Sequence, residues 1–155
     1  IFTYIIWLIR IPVSRAQKVT KRLRVSRVIS ENVLGACRLW KNANIIKDAK
    51  PSICTSRLNK VPLPAIYAVY CVIDDKIIRS KLLTYSTKWR HVTQITNGYD
   101  LEKRNLQPGP IYKEILSQLR DAWLDSEILT PEDETKYLNE LICKITKENS
   151  DETLS

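Results

Sequence analysis

The chain has 155 residues, 44% of them apolar and 27% charged, with a formal net charge of +8 and a single histidine. That length supports one core or two small helical ones, and the composition excludes disordered, collagen-like and disulfide-rich classes. Four cysteines at 37, 54, 71 and 143 form no C-x-x-C pair, and His91 alone does not complete a zinc site with them, so they are expected to be reduced, mostly buried thiols.

Only three glycines and few turn dipeptides predict an all-α fold, an irregular array of about seven or eight helices. Ile1 to Ile9 is nearly all apolar but falls far short of the roughly 20 residues that cross a bilayer, so no membrane partner is expected. The chain starts with Ile and contains no Met. It therefore reads as a C-terminal piece of something longer, with its first helix packed against the missing part. That helix should run to Arg10 and break at Pro12. Ser14 is expected to cap a basic helix through Arg24, with Val19 and Leu23 inward and Arg15, Lys18, Lys21, Arg22 and Arg24 outward. The next helix starts near Ser26 or Ser30 and ends at Lys41. It has a broad apolar face of Val33, Leu34, Cys37, Leu39 and Trp40.

Pro51 is the natural first residue of a short helix that turns Ile53, Cys54 and Leu58 inward. Leu63 to Ile73 is apolar on every side and reads as a buried helix. Asp74 and Asp75 head a helix over Lys76 to Trp89, with Ile77, Ile78, Leu82, Leu83 and Tyr85 at helical spacing. A linker carrying Val92 and Ile95 leads to a short helix over Tyr99–Arg104, expected to stop at Asn105, which tolerates the left-handed conformation. The turn from Leu106 to Gly109 then feeds a long helix that begins at Pro110. It has Ile111, Ile115, Leu116, Leu119, Ala122 and Trp123 on one face and Lys113, Ser117 and Arg120 on another. Thr130-Pro131-Glu132-Asp133 starts the last helix, with Tyr137, Leu138, Leu141, Ile142 and Ile145 as its buried stripe. The expected segments are a basic helical body at 1–60, buried connecting helices at 61–92, a helix–turn–helix tail at 93–147 and a disordered acidic tail at 148–155.

Charge is uneven. Residues 1–60 carry 13 Lys/Arg against 2 acids, 61–120 carry 9 against 5, and 121–155 carry 3 against 10. Such polarity suggests a basic surface for a polyanion. No G-x-S-x-G, G-x-x-x-x-G-K-[ST], H-E-x-x-H or G-x-G-x-x-G occurs. The adjacent Asp74-Asp75 would point in different directions along a helix, unlike a Mg²⁺-holding pair. Around the helix–turn–helix, cations interleave with aromatic rings, a pattern that suits phosphates and stacked bases. Gly109 with its neighbouring amides and Lys113 are the first phosphate candidates. Lys88, Arg90, Lys103, Arg104 and Arg120 are the second, and His91, Tyr99 and Tyr112 are candidates for stacking. A solvated charged surface over a packed aromatic core accounts for the same composition.

The runs T-K-W-R-H-V, I-T-N-G-Y-D-L and N-L-Q-P-G-P-I-Y-K-E-I-L-S-Q-L-R-D-A-W-L-D-S-E resemble the C-terminal region of the bacterial tRNA nucleotidyltransferase/poly(A) polymerase family, of the cyanobacterial type. W-L-I-R-I-P, A-Q-K-V-T-K-R-L-R-V and P-S-I-C-T-S-R-L-N-K-V-P-L-P are similar to the helical body of those enzymes and the helix leading into their tail. The resemblance spans residues 5 to 142. It departs from the family at Asn105 and Ser126, where Gly is usual, and at an additional Asn97. The helix end at Ser126 is therefore expected to be less sharply capped.

The resemblance implies the body and tail of such an enzyme, holding the backbone of tRNA or another structured RNA for an upstream catalytic head that these residues do not contain. Mg²⁺ and ATP or CTP would belong to that head. No catalytic residue, metal ligand or cofactor is assigned here, and activity by this chain alone is not expected. The implied compartment is the cytoplasm or an organelle of plastid type. A helical interaction or homodimerisation module that does not bind RNA is the alternative.

Overall fold

A computed structural model describes residues 2–104, 106 and 108–152, with the backbone alone for 145–152. Among these residues the chain is all-α, with ten α-helices and no strand. They are α1 (Phe2–Leu8), α2 (Val13–Arg22), α3 (Arg27–Lys41), α4 (Asn44–Lys47), α5 (Pro51–Leu58), α6 (Leu63–Val72), α7 (Lys76–Thr87), α8 (Gly98–Glu102), α9 (Pro110–Leu124) and α10 (Pro131–Glu152). A 3-10 turn covers Trp89–His91. The chain forms two compact units, Ile1–His91 and Val92–Ser155, each with its own core. No described helix is long and apolar enough to cross a membrane.

In the first unit α3 is central and packs on α1, α2 and α6. Ser26 caps it by accepting the Ile29 amide. Val33, Ala36 and Cys37 face a core shared with Ile5, Ala16, Leu58, Ile66, Ile78 and Leu82. Segments 1–60 and 61–91 thus contribute to one core. Gly35 sits where α3 meets the start of α6, and a Cβ there would lie 2.9 Å from Pro62 Cδ. The missing side chain is what permits this approach.

Several sequence expectations are corrected here. Pro12, not Ser14, is the N-cap of α2, because its fixed extended backbone lets Arg15 and Ala16 bond the Pro12 carbonyl at 2.9 and 3.0 Å. Leu23 and Ile53 are exposed rather than inward, and Ile77 and Leu83 are exposed as well: Leu23 is the C-cap beyond α2, and the other three point well away from the buried faces of their helices. Polar Thr20, Ser52 and Thr55 are buried instead. α4 is additional to the expected elements. Asp75 N-caps α7, accepting the Ile77 and Ile78 amides, and pairs with Lys47 at 2.8 Å. The Lys47 ammonium, then the Ile78 amide, hold the Asp75 carboxyl below its usual range. No disulfide is present among the described residues; Cys37 and Cys54 are buried, but Cys71 and Cys143 are exposed.

In the second unit α9 and α10 pack through Ile115, Leu119, Ala122, Leu138 and Leu141, with Leu101 of α8 and Ile128 closing the core. Asn97 is the N-cap of α8. It accepts the Tyr99 and Asp100 amides while the Asp100 carboxylate accepts from the Asn97 amide, a reciprocal capping box. Thr130 and Asp133 form the same arrangement at α10. α9 ends more sharply than expected. Ser126 takes φ 60°, its amide bonds the Trp123 carbonyl at 3.3 Å, and the Glu127 amide bonds Ala122 at 2.9 Å, so serine occupies the left-handed position where glycine is usual. Arg24, at φ 49°, ends α2 in the same way. The backbone of α10 stays helical through Glu152, past the expected end at 147, because no Pro or Gly interrupts it. Asn105 and residues 153–155 lie outside the described residues.

Glu134, which the sequence reading did not single out, is buried at 2% exposure in the first turn of α10. Its carboxylate accepts from the Ile95 and Thr96 amides at 3.0 and 2.6 Å and from the Trp123 indole. It thereby fastens the segment before α8 to both long helices. Burial by itself pushes this carboxyl up, but the bonds from Thr96, Ile95 and Trp123 outweigh it and hold the group below its ordinary 4.5.

Two predictions follow from these contacts. Gly35→Ala trades about 1 kcal/mol of helix propensity against an overpacking cost of about 1–3 kcal/mol, so the first unit's thermal midpoint should fall by several degrees; an unchanged or raised midpoint would show that the α3–α6 approach relaxes freely. Because the Glu134 pKa is depressed on folding, its contribution is full above pH about 4.5 and is lost as pH falls through the folded value. Urea unfolding should show wild type losing second-unit stability below that pH, while Glu134→Gln is about 1–3 kcal/mol weaker at neutral pH and less sensitive to acid.

Candidate nucleic-acid interface

The ten candidates from sequence fall into two sets. Lys88, Arg90 and His91 close the first unit, with Lys88 as the C-cap of α7 and the other two in the 3-10 turn; all three side chains are exposed. The other seven belong to the second unit. Gly109 is the N-cap of α9 with φ 177°, extended backbone that any residue adopts. The Tyr112 amide turns back to the Gly109 carbonyl at 3.1 Å, and Pro110 has no N–H to offer. Lys113 is exposed and lines an open depression with Pro110, Glu114, Ser117 and Gln118, so a carboxylate shares the place where phosphate was expected.

Most of the remaining second-unit candidates have partners within the unit. Arg120 donates to the Val92 carbonyl at 2.9 Å, and Arg104 donates to Asn139 Oδ1. The Lys103 ammonium lies 4.4 Å from the centre of the Tyr99 ring. Tyr112 donates its hydroxyl to the Leu106 carbonyl at 2.7 Å and packs against the core, and burial, then the Glu102 charge, push its pKa up. These side chains fix the helix–turn–helix, leaving Lys113 and the ring of Tyr99 as its outward groups.

The unit boundary redistributes the charge. Residues 1–91 hold 18 Lys/Arg against 4 acids, and residues 92–155 hold 7 against 13. In the first unit Arg10, Arg15, Lys18, Lys21, Arg22, Arg24, Arg38, Lys41, Arg57 and Lys60 are exposed, while Glu31 is paired with Arg27 at 2.7 Å and Asp75 with Lys47.

Two depressions in this unit are lined by cations and by no acid. One, of about 540 Å³, lies between the α1–α2 connection and the end of α3; Arg10, Lys41, Ser14 and Trp40 line it, with the Arg10 guanidinium 5.4 Å from the Trp40 ring centre. Cys37 also lines it, but burial pushes that thiol up and its Sγ donates to the Leu8 carbonyl at 3.2 Å, so it stays a protonated packing group. The other, of about 210 Å³, gathers Arg38, Arg57, Lys60 and Asn42 over Leu39, Ile46 and Val61. Sequence reading did not single out this group. Its one local signal is the absence of any acid from Ala49 to Ile73, a stretch that contains Arg57 and Lys60.

No cluster of three or more His, Cys, Asp or Glu side chains that could hold a metal occurs among the described residues. Comparison with models of known protein families, with curated proteins and with solved structures finds no match to the chain.

The distinction between tied and outward cations is testable by thermal unfolding. Arg120→Ala should lower the second unit's stability by about 1 kcal/mol through loss of its bond to the Val92 carbonyl, whereas Lys113→Ala should leave it within about 0.5 kcal/mol. Equal effects would mean that the Arg120 contact carries no net stability.

Proposed function

We propose that the chain is an RNA-holding helical protein of the type its sequence resembles, the body and tail of a tRNA nucleotidyltransferase/poly(A) polymerase, gripping the backbone of tRNA or similarly structured RNA for a catalytic head supplied elsewhere. The observation that carries the reading is the concentration of 18 Lys/Arg against 4 acids in the first unit, with most of those cations exposed. A-form RNA offers phosphates and 2′-hydroxyls more readily than base edges, so a folded surface of dispersed cations suits it. The main phosphate surface is accordingly the first unit, including Lys88 and Arg90. Gly109, Lys113, Lys103, Arg104 and Arg120 stand on a unit of net negative charge and become secondary. No chemical step is assigned to this chain, and Mg²⁺ and ATP or CTP stay with the head.

The alternative, a protein-interaction module, has its own support in Phe2, Tyr4, Ile6 and Trp7, which are all exposed on or beside α1. Fluorescence anisotropy of labelled tRNA across a salt series separates the two. The RNA reading expects affinity to fall steeply with salt, with Lys18→Ala and Arg22→Ala each reducing the log–log slope by about 1. Lys113→Ala is expected to change it less. Indifference to tRNA at low salt sinks the reading, and a larger effect from Lys113 than from Lys18 returns the surface to the second unit.

A further inference from the structure

The depression formed by Arg38, Arg57 and Lys60 is unusual because three like charges from two stretches of chain converge on one small cavity. Arg38 comes from the last turn of α3, Arg57 from the last turn of α5 and Lys60 from the turn that follows. Like charges so gathered repel, and a fold that keeps them together without a carboxylate must offset that repulsion elsewhere.

The ordinary use for cations at this location is to complement helix C-termini. The same unit shows what that looks like. Lys81 donates to the carbonyls of Ile46, Lys47 and Ala49 at 3.1, 2.8 and 2.7 Å and closes the end of α4. At the ends of α3 and α5 the carbonyls are served by backbone instead. The Asn42 amide bonds Arg38 and Leu39, Ala43 bonds Trp40, Asn59 bonds Thr55, Lys60 bonds Arg57 and Val61 bonds Leu58. The side chains of Arg38, Arg57 and Lys60 donate to no carbonyl or carboxylate among the described residues. A neighbouring depression of about 300 Å³ shares Arg38 and Lys60 and includes Glu31, but that carboxylate is already paired with Arg27.

We infer that Arg38, Arg57 and Lys60, with the Asn42 side-chain carboxamide beside them, form a binding site for a phosphoryl group. Two guanidinium forks and an ammonium supply charge-assisted donors to the tetrahedral oxygens, and Asn42 adds a neutral one. Leu39, Ile46 and Val61 supply an apolar floor suited to the sugar or carbon skeleton that carries the phosphate. The inference depends on the RNA reading only for the source of the phosphate, which is a backbone phosphodiester if that reading holds and a small phosphorylated molecule if it does not.

Isothermal titration calorimetry of the intact chain with inorganic pyrophosphate at low ionic strength tests the site. Wild type should bind at one site; Arg57→Gln and Arg38→Gln should each weaken binding about tenfold. Lys76→Gln, an exposed cation on α7 outside the cavity, should bind as wild type does. All four side chains are exposed, so the variants should melt with the wild type. If Arg57→Gln melts early, Lys60→Gln carries the same prediction. No binding by wild type, or equal binding by wild type and the cavity variants, overturns the site regardless of any RNA result. Where pyrophosphate binds and also displaces tRNA, the site stands and its phosphate is that of RNA. Where it binds to a chain that ignores tRNA, the site stands as one for a small phosphorylated ligand and the RNA reading falls.

Discussion

The surface of the first unit depends on how closely α3 can approach the turn at Pro62. With any larger residue at 35 the Pro62 ring would be in the way at 2.9 Å, and α3 would ride further from α6. That contact does more than pack a core. Gly35, Arg38, Lys60, Val61 and Pro62 line one depression, so the spacing that glycine allows also sets how near Arg38 comes to Lys60. A steric condition in the interior thus becomes an electrostatic condition at the surface. This is why one small residue at a helix crossing matters to a charge cluster in which Arg38 meets residues 19 and 22 positions further along the chain.

The second unit is organised by a polar constraint instead. Glu134 is buried yet accepts bonds from the Ile95 and Thr96 amides and from Trp123, which joins the segment before α8 to both α9 and α10. A carboxylate in this position is stabilising only while its acceptors are used, so the segment and the helices are fixed together or not at all. Arg120 and Tyr112 extend the pattern by donating to the carbonyls of Val92 and Leu106. Side chains that read as ligand-binding groups in sequence are here the means by which irregular backbone between short helices is satisfied. The acid-rich character of this unit also follows its helix starts, where Asp100 and Asp133 complete capping boxes.

Much of the helical framework was legible in the sequence because it rests on local chemistry. Pro51 and Pro110 as first residues, Ser26 and Thr130 as caps, and the apolar run after Pro62 each name a boundary from one or two neighbours. What failed was equally physical. Ser14 and Pro12 both suit a helix start, and only the resulting backbone bonds chose between them. Leu23 falls just past the end of α2, and Ile53, Ile77 and Leu83 each adjoin a buried residue in sequence, yet one step along a helix turns the side chain by roughly 100°. Ser126 adopts the left-handed geometry because the bonds from Ser126 and Glu127 back to α9 hold it there, not because serine favours it.

By itself the sequence determined the helical class, the polarity of charge along the chain and most helix starts. These depend on contacts within a turn or two, where neighbours along the chain are neighbours in space. Only the tertiary structure decided that the division falls after His91, that the candidate cations of the second unit are largely occupied, and that Arg38 meets Arg57 and Lys60. Those outcomes depend on which helix faces which and at what distance. Gly35 against Pro62 and Glu134 against Ile95 and Thr96 set such distances, and spacing along the chain does not encode them.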